Sequence, residues 1–199
     1  MRDTFQEIRN RIDELEQELR RELAAKQEEF RYTVEKNRVR FSREVQDAHR
    51  ALATRWTAYV YESGVFKVLT IPVIWFALIP AVVLDFFVLF YQLICFPIYG
   101  IPRVKRSDHI VFDRHKLKYL NWMEKCNCMY CSYFNGLMSY LREIAGRTEQ
   151  YWCPIRHARL PKSTHSRYDR FVDYGDADGY HRELGKIRKD FGDCEEKKK

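Results

Sequence analysis

VLTIPVIWFALIPAVVLDFFVLFYQLICFPIYGI, the stretch from Val68 to Ile101, holds one acidic residue, Asp85, and no basic one, and Lys67 stands just ahead of it. A helix needs about 20 apolar residues to cross hydrocarbon, so the run reads as membrane-embedded rather than as the core helix of a water-soluble protein. Trp56, Tyr59, Tyr61, Tyr91 and Tyr99 lie near its ends, where aromatic rings favour the lipid interface. Sixty residues rich in charge precede it, which is not the pattern of a cleaved signal peptide.

Three prolines, Pro72, Pro80 and Pro97, interrupt the run, and each removes a helical hydrogen bond. The run is long for one straight span and short for two. Residues 31–60 carry seven Lys/Arg against three Asp/Glu, and residues 102–130 carry the same numbers. Two basic flanks on opposite sides of a membrane would break the positive-inside tendency. A helical hairpin turning near Pro80 keeps both flanks, and so both termini, in the cytoplasm, and that is the expectation. Asp85 has no intramembrane cation beside it in sequence. It reads as a neutral carboxyl bonded to nearby backbone or to a second subunit.

Ahead of the membrane segment, Phe5, Ile8, Ile12, Leu15 and Leu19 recur three and four apart, as in a coiled-coil seam. Leu23, Phe30, Val34, Phe41, Val45, Ala48 and Leu52 continue the stripe, with polar breaks near Lys26 and Asn37. Residues 1–64 are therefore expected to form one long coiled-coil helix. At about 1.5 Å per residue such a helix outruns any core this chain could offer it. Its seam asks for a second copy or another protein. Acidic residues interleave with the arginines, and no nucleic-acid-binding motif accompanies them.

Beyond the membrane segment, residues 102–158 carry the soft ligands. Cys126-Asn-Cys128-Met-Tyr-Cys131 is followed by Cys153-Pro-Ile-Arg-His157. Cys128, Cys131, Cys153 and His157 together would make a closed Cys₃His site, with Cys126 as a substitute ligand. Zinc is the expected ion and iron the alternative. Residues 115–125 and 133–149 read as helices with the cysteine cluster in their connection. A helix of 17 residues would then hold the two ligand pairs about 25 Å apart. The site closes in one chain only if that helix is short or bent, with Gly136 and Gly146 as the places to bend, or else two chains share the metal. Thiol redox chemistry at Cys128 and Cys131 and plain packing of the thiols are the rival readings.

Residues 159–199 are polar with few apolar anchors, and read as a largely disordered tail with a short helix around 180–190. No G-x-S-x-G, P-loop or dinucleotide fingerprint is present, and no constellation amounts to a catalytic site. The fold class expected is mainly α: a long N-terminal coiled-coil helix, a membrane-embedded hairpin over 65–101, and a small helical metal-binding domain.

The strings IVFDRHKLKYLN, NCMYCSYFNGL and EIAGRTEQYWCPIRHA resemble those of a group of small uncharacterised bacterial membrane proteins carrying NCxYC and YWCPIxHA motifs. The resemblance covers about residues 70–160 and implies a bacterial inner-membrane setting, without an activity. The functional expectation is a membrane-anchored structural or adaptor subunit with a metal site. Its partners are lipid and, through the N-terminal helix, itself or another protein of a larger complex. A membrane-surface iron protein moving electrons is the alternative.

Overall fold

The computed structural model describes residues 2–30, 32–35 and 38–196, and it is mainly helical. Two compact units divide the chain: residues 1–62 with 113–126, and residues 63–112 with 127–199.

The first unit departs from the expected single helix. Helix α1, Arg2–Glu29, stops well short of residue 64. Strands β1, Tyr32–Glu35, and β2, Arg38–Phe41, follow as an antiparallel pair with Tyr32 opposite Phe41 and Val34 opposite Val39. Tyr32, Thr33, Val34, Val39 and Phe41 are β-branched or aromatic, and cross-strand pairing of such side chains outweighs continuation of a weak helical stripe. The break expected near Asn37 lies outside the described residues, as do the side chains of Phe5 and Ile8. Helix α2, Arg43–Ala51, starts at Ser42, whose hydroxyl accepts from the Val45 amide. Helix α3 covers Trp56–Ser63. His49 bridges Phe41 and Tyr119 edge-on, at 5.4 and 5.1 Å between ring centroids.

In the second unit, helix α4, Val65–Phe76, and helix α5, Leu78–Tyr99, make up the apolar run. The expected hairpin does not form. Ala77, between them, keeps right-handed helical dihedrals (φ −62°, ψ −18°), so the chain does not reverse there. Pro80 has no amide to offer the Phe76 carbonyl, and the local answer is a tighter turn in which Ala77 N–H donates to Ile74 O at 3.2 Å. The result is one helical stretch, Phe66–Tyr99, long and apolar enough to cross a membrane. It ends at Gly100, whose left-handed backbone (φ 68°) lets Ile101 N–H reach back to Phe96 O at 2.8 Å. This is a Schellman-type stop, and it turns the chain back on itself.

Helix α6 runs unbroken over Trp122–Trp152. The expected pair of helices with a cysteine-bearing connection is therefore one helix. Its start is a reciprocal cap: Glu124 N–H donates to Asn121 Oδ1, and Asn121 N–H donates to Glu124 Oε2. No proline interrupts it until Pro154. Gly136 and Gly146 do not bend it but permit close approach. A Cβ at Gly136 would stand 2.7 Å from His109 O and 2.8 Å from Ile110 Cα.

The core joins α5, the returning segment and α6 through Ala81, Phe96, Ile101, Val104, Ile110, Leu137, Tyr140, Ile144 and Phe191. Phe191 comes from the region expected to be disordered. Helix α7, Ala177–Ile187, and the short α8, Gly192–Glu196, follow a parallel bridge between Ile155 and Val172. Pro154, Phe171, Val172, Ile187 and Phe191 are buried. The anchors are few, but polar ties make up the difference: buried Gln150 donates to the carbonyls of Ile187 and Asp190, both at 2.8 Å.

Candidate functional site

The unbroken α6 decides where the thiols stand. Cys128 and Cys131 lie three apart on it, with Cys126 on the preceding turn. Cys153 follows its last residue, its amide still bonded to Glu149 O at 2.8 Å. Twenty-two residues of helix separate Cys131 from Cys153 by about 33 Å. Cys128 and Cys131 therefore cannot share an ion with Cys153 and His157 in one chain. His157 is taken up locally instead: its ring stacks on Tyr168, whose hydroxyl lies 3.3 Å from Nδ1 and accepts from the His157 amide at 2.8 Å. Among the described residues, no group of three or more His, Cys, Asp or Glu side chains is arranged to hold a metal ion.

The polar residues of the apolar helix converge elsewhere. Asp85 and Gln92, seven apart, face the same way and are both buried. Asp85 has a cation after all, from a segment that returns along α5: Arg106 donates to Oδ2 at 2.7 Å and to Oδ1 at 3.4 Å. Tyr133 of α6 donates to Oδ2 at 3.0 Å. One turn-pair along, Gln92 Oε1 accepts from Val104 N–H at 2.7 Å, and its amide nitrogen donates to Val104 O and to the Tyr140 hydroxyl. The Asp85 hydrogen bond raises the Arg106 pKa. Burial, then the bond to Asp85, raises that of Tyr133. The expectation of a backbone or second-subunit partner for Asp85 is thereby replaced. One signal was available: two polar residues seven apart on an otherwise apolar helix share a face and so share a neighbour.

A second polar cluster was legible only in its Glu143–Arg147 pair, four apart on one helix. A cavity of about 730 Å³ lies beside the turn Gly100–Lys105, walled by Glu143, Arg147, Arg167, Asp193 and Cys194. Arg147 donates to Glu143 at 2.8 Å and to Pro102 O at 2.7 Å. Arg167 donates to Asp193 at 2.8 Å and to the Cys194 sulfur at 2.6 Å, and Ser166 donates to Glu143 at 2.7 Å. Burial pushes the Glu143 carboxyl up, but Ser166, Arg147 and Arg167 together hold it below the usual carboxylate range. For Cys194, burial pushes the thiol up and outweighs the opposing guanidinium groups of Arg147 and Arg167, which does not make it an activated nucleophile. The cluster matches charge with charge, and reads as the clasp between the α5 terminus, α6 and the C-terminal helices.

What remains is a surface. Only 11% of the most apolar part of Phe66–Tyr99 is buried, and Phe66, Val73, Phe86 and Ile98 are each more than 60% exposed. Helix α1 adds Ile12, Leu15, Leu19 and Leu23, spaced three, four and four and each at least half exposed. Each unit thus exposes an apolar helical surface of its own: the stretch Phe66–Tyr99 in one and the α1 stripe in the other. Comparison of the chain with family models, with characterised proteins and with solved structures finds no match.

Proposed function

We propose that the protein is a membrane-anchored adaptor or structural subunit. The observation that carries this reading is the long, exposed apolar stretch Phe66–Tyr99, continuous with a folded polar domain. Monomeric soluble proteins rarely leave contiguous apolar surface beyond a few hundred Å² in water, and a helix of this length exceeds that. Lipid is the first partner. The second is protein: the Ile12–Leu23 stripe of α1 has the spacing of a coiled-coil seam, and its occupant is a second copy of the chain or a helix of another subunit.

Zinc keeps a place in this reading only as an ion shared between copies, because one chain presents the Cys128–Cys131 pair without the rest of a ligand set. The electron-transfer alternative needs a resident iron centre and loses the same ligand geometry.

Fractionation and sedimentation test the proposal. The chain should stay with membranes through a high-salt wash. In mild detergent it should sediment as an oligomer that Leu15→Asp with Leu19→Asp converts to a monomer. A chain found in the soluble fraction would overturn the anchor, and an unchanged mass in the double variant would overturn the role of α1.

A further inference from the structure

Helix α5 has two faces. Ala81, Asp85, Gln92 and Phe96 are buried at intervals of four, seven and four, against α6 and the returning segment. The opposite side, about half the circumference at roughly 100° per residue, presents Phe86, Phe87, Phe90, Leu93 and Ile98, from 54% to 73% exposed. No charged or hydrogen-bonding side chain interrupts that side.

Helix α6 runs beside α5 in the same direction. Trp75 meets the ring of Tyr130, Asp85 meets Tyr133, Gln92 meets Tyr140, and Tyr99 stacks on Tyr151. Its outward face is more polar: Cys131, Asn135, Ser139 and Arg142 are exposed, with Met138 and Ala145 among them. Between the two helices lies non-helical chain, residues 101–105, followed by a single 3₁₀ turn, with Arg103, Lys105, Ser107 and Asp108 exposed. A spanning α5 would carry all of this through the hydrocarbon. Irregular backbone and exposed charge are not tolerated there unless protein or a water-filled cavity covers them. Phe66–Ile74, ahead of the Trp75 contact, is nine residues and about 14 Å long, against a hydrocarbon core of about 30 Å.

We propose that α5 lies in the plane of the membrane interface, its phenylalanine-rich face in the acyl boundary and α6 on the aqueous side, so that the chain is held on one leaflet and not threaded through it. The occupant of the face is a lipid bilayer. A protein interface retains a polar rim and about one hydrogen bond per 100–200 Å², and this face offers no such group. Exposed Lys67, Arg103 and Lys105 at the two ends of the helical stretch suit anionic headgroups. The proposal rests on the membrane-anchor reading and refines it.

Two native thiols supply the test. Cys131 and Cys153 are both exposed, and they stand about 33 Å apart along α6, close to the thickness of the hydrocarbon core of about 30 Å. Membranes from cells making the full chain are prepared as spheroplasts and as inverted vesicles, and each is treated with a membrane-impermeant maleimide. Peptide mass spectrometry then reads both sites. An in-plane α5 gives labelling of both cysteines in the same preparation, within about twofold of each other, and of neither in the other. Cys131 labelled in one preparation and Cys153 in the other would overturn the in-plane arrangement and leave the anchor intact. Cys131 shielded until detergent is added would do the same. Recovery of the chain from the soluble fraction would overturn the anchor itself. As a second arm, Phe87→Lys with Phe90→Lys should weaken binding of the purified chain to phosphatidylcholine–phosphatidylglycerol vesicles more than tenfold at unchanged helical content. Unchanged vesicle binding would overturn the assigned face. Retention by native membranes that is lost once their proteins are stripped by protease would assign the face to a protein partner and also overturn it.

Discussion

The Asp85–Arg106 pair should fail asymmetrically when its members are removed one at a time. The Asp85 side chain is 9% exposed and the Arg106 side chain 39%. Arg106→Leu leaves a carboxylate in a site it cannot leave, with only the Tyr133 hydroxyl to bond it. Breaking a fully buried pair in this way costs about 3–5 kcal/mol, and the exposure of Arg106 scales that to about 2–3 kcal/mol. Asp85→Leu is a different loss. The freed guanidinium can swing into water, the leucine is at home among apolar neighbours, and the remaining cost is an unmade hydrogen bond from Tyr133, about 1 kcal/mol. At about 2–4 °C per kcal/mol for a chain of this size, Arg106→Leu should lower the Tm by roughly 4–12 °C and Asp85→Leu by no more than about 4 °C.

Thermal unfolding of the full chain in one mild detergent, followed by near-ultraviolet circular dichroism, reads both variants and their combination. The double variant should recover most of what Arg106→Leu loses, because the stranded charge is gone. Equal losses in the two single variants, or a larger loss for Asp85→Leu, would refute the assignment of Arg106 as the mobile partner and Asp85 as the fixed one.

Gly136→Ala should destabilise despite the better helix propensity of alanine, because its Cβ meets backbone atoms of His109 and Ile110 that cannot rotate away. A gain of about 1 kcal/mol from propensity stands against about 1–3 kcal/mol of overpacking, and a raised Tm would refute the close approach. Gln150→Leu should loosen the C-terminal helices by removing its bonds to the Ile187 and Asp190 carbonyls, which keep the Asp190 amide and Arg170 as donors, at about 1–2 kcal/mol; limited proteolysis should then cut ahead of α7, and an unchanged digestion pattern would refute the tie. Glu143 has a folded pKa below its unfolded value. Its contribution to stability is therefore present above the unfolded carboxyl value of about 4.3 and lost as pH falls through the folded one. Glu143→Gln should flatten the acid limb of the Tm–pH curve, and an acid limb as steep as before would refute it. Zinc should be found at no more than one ion per two chains. One zinc per chain, lost in both Cys128→Ser and Cys153→Ser, would refute the separation of the two thiol groups.

Some of this was legible in the residues and some was not, for physical reasons. The apolar run is composition alone, and composition fixes what its outward side prefers to touch. The Leu15–Leu23 stripe is likewise visible because helical periodicity needs no partner to be read. The end of α1 was missed because Tyr32–Glu35 and Arg38–Phe41 satisfy a helical stripe and a strand alternation at once, and cross-strand partners decide between them. The cysteine site failed for a simpler reason. Soft ligands four residues apart and 22 residues apart look alike on a line, but a continuous α6 converts the second spacing into a distance. The C-terminal region looked disordered because its stability comes from Gln150, Arg167 and Arg170 tying carbonyls and carboxylates across the chain. Hydropathy does not register such ties.

A helix as apolar as α5 nonetheless keeps Asp85 and Gln92. A spanning helix in lipid would do well to shed both, since neither has a partner on α5 itself. Kept at a spacing of seven, they bind one side of α5 to Arg106, Val104, Tyr133 and Tyr140, all outside α5. That fixes the rotation of the helix about its axis. The polar pair thereby selects which face of α5 points away from the domain, the face proposed to meet lipid, and replacing both by leucine would leave α5 free to turn and to bury its phenylalanines in the domain. In such a double variant the phenylalanine-rich face should lose its claim on the bilayer. Phe87→Lys would then weaken vesicle binding far less than it does in the native chain, and an undiminished effect would show that packing of Ala81 and Phe96 sets the rotation without help from the polar pair.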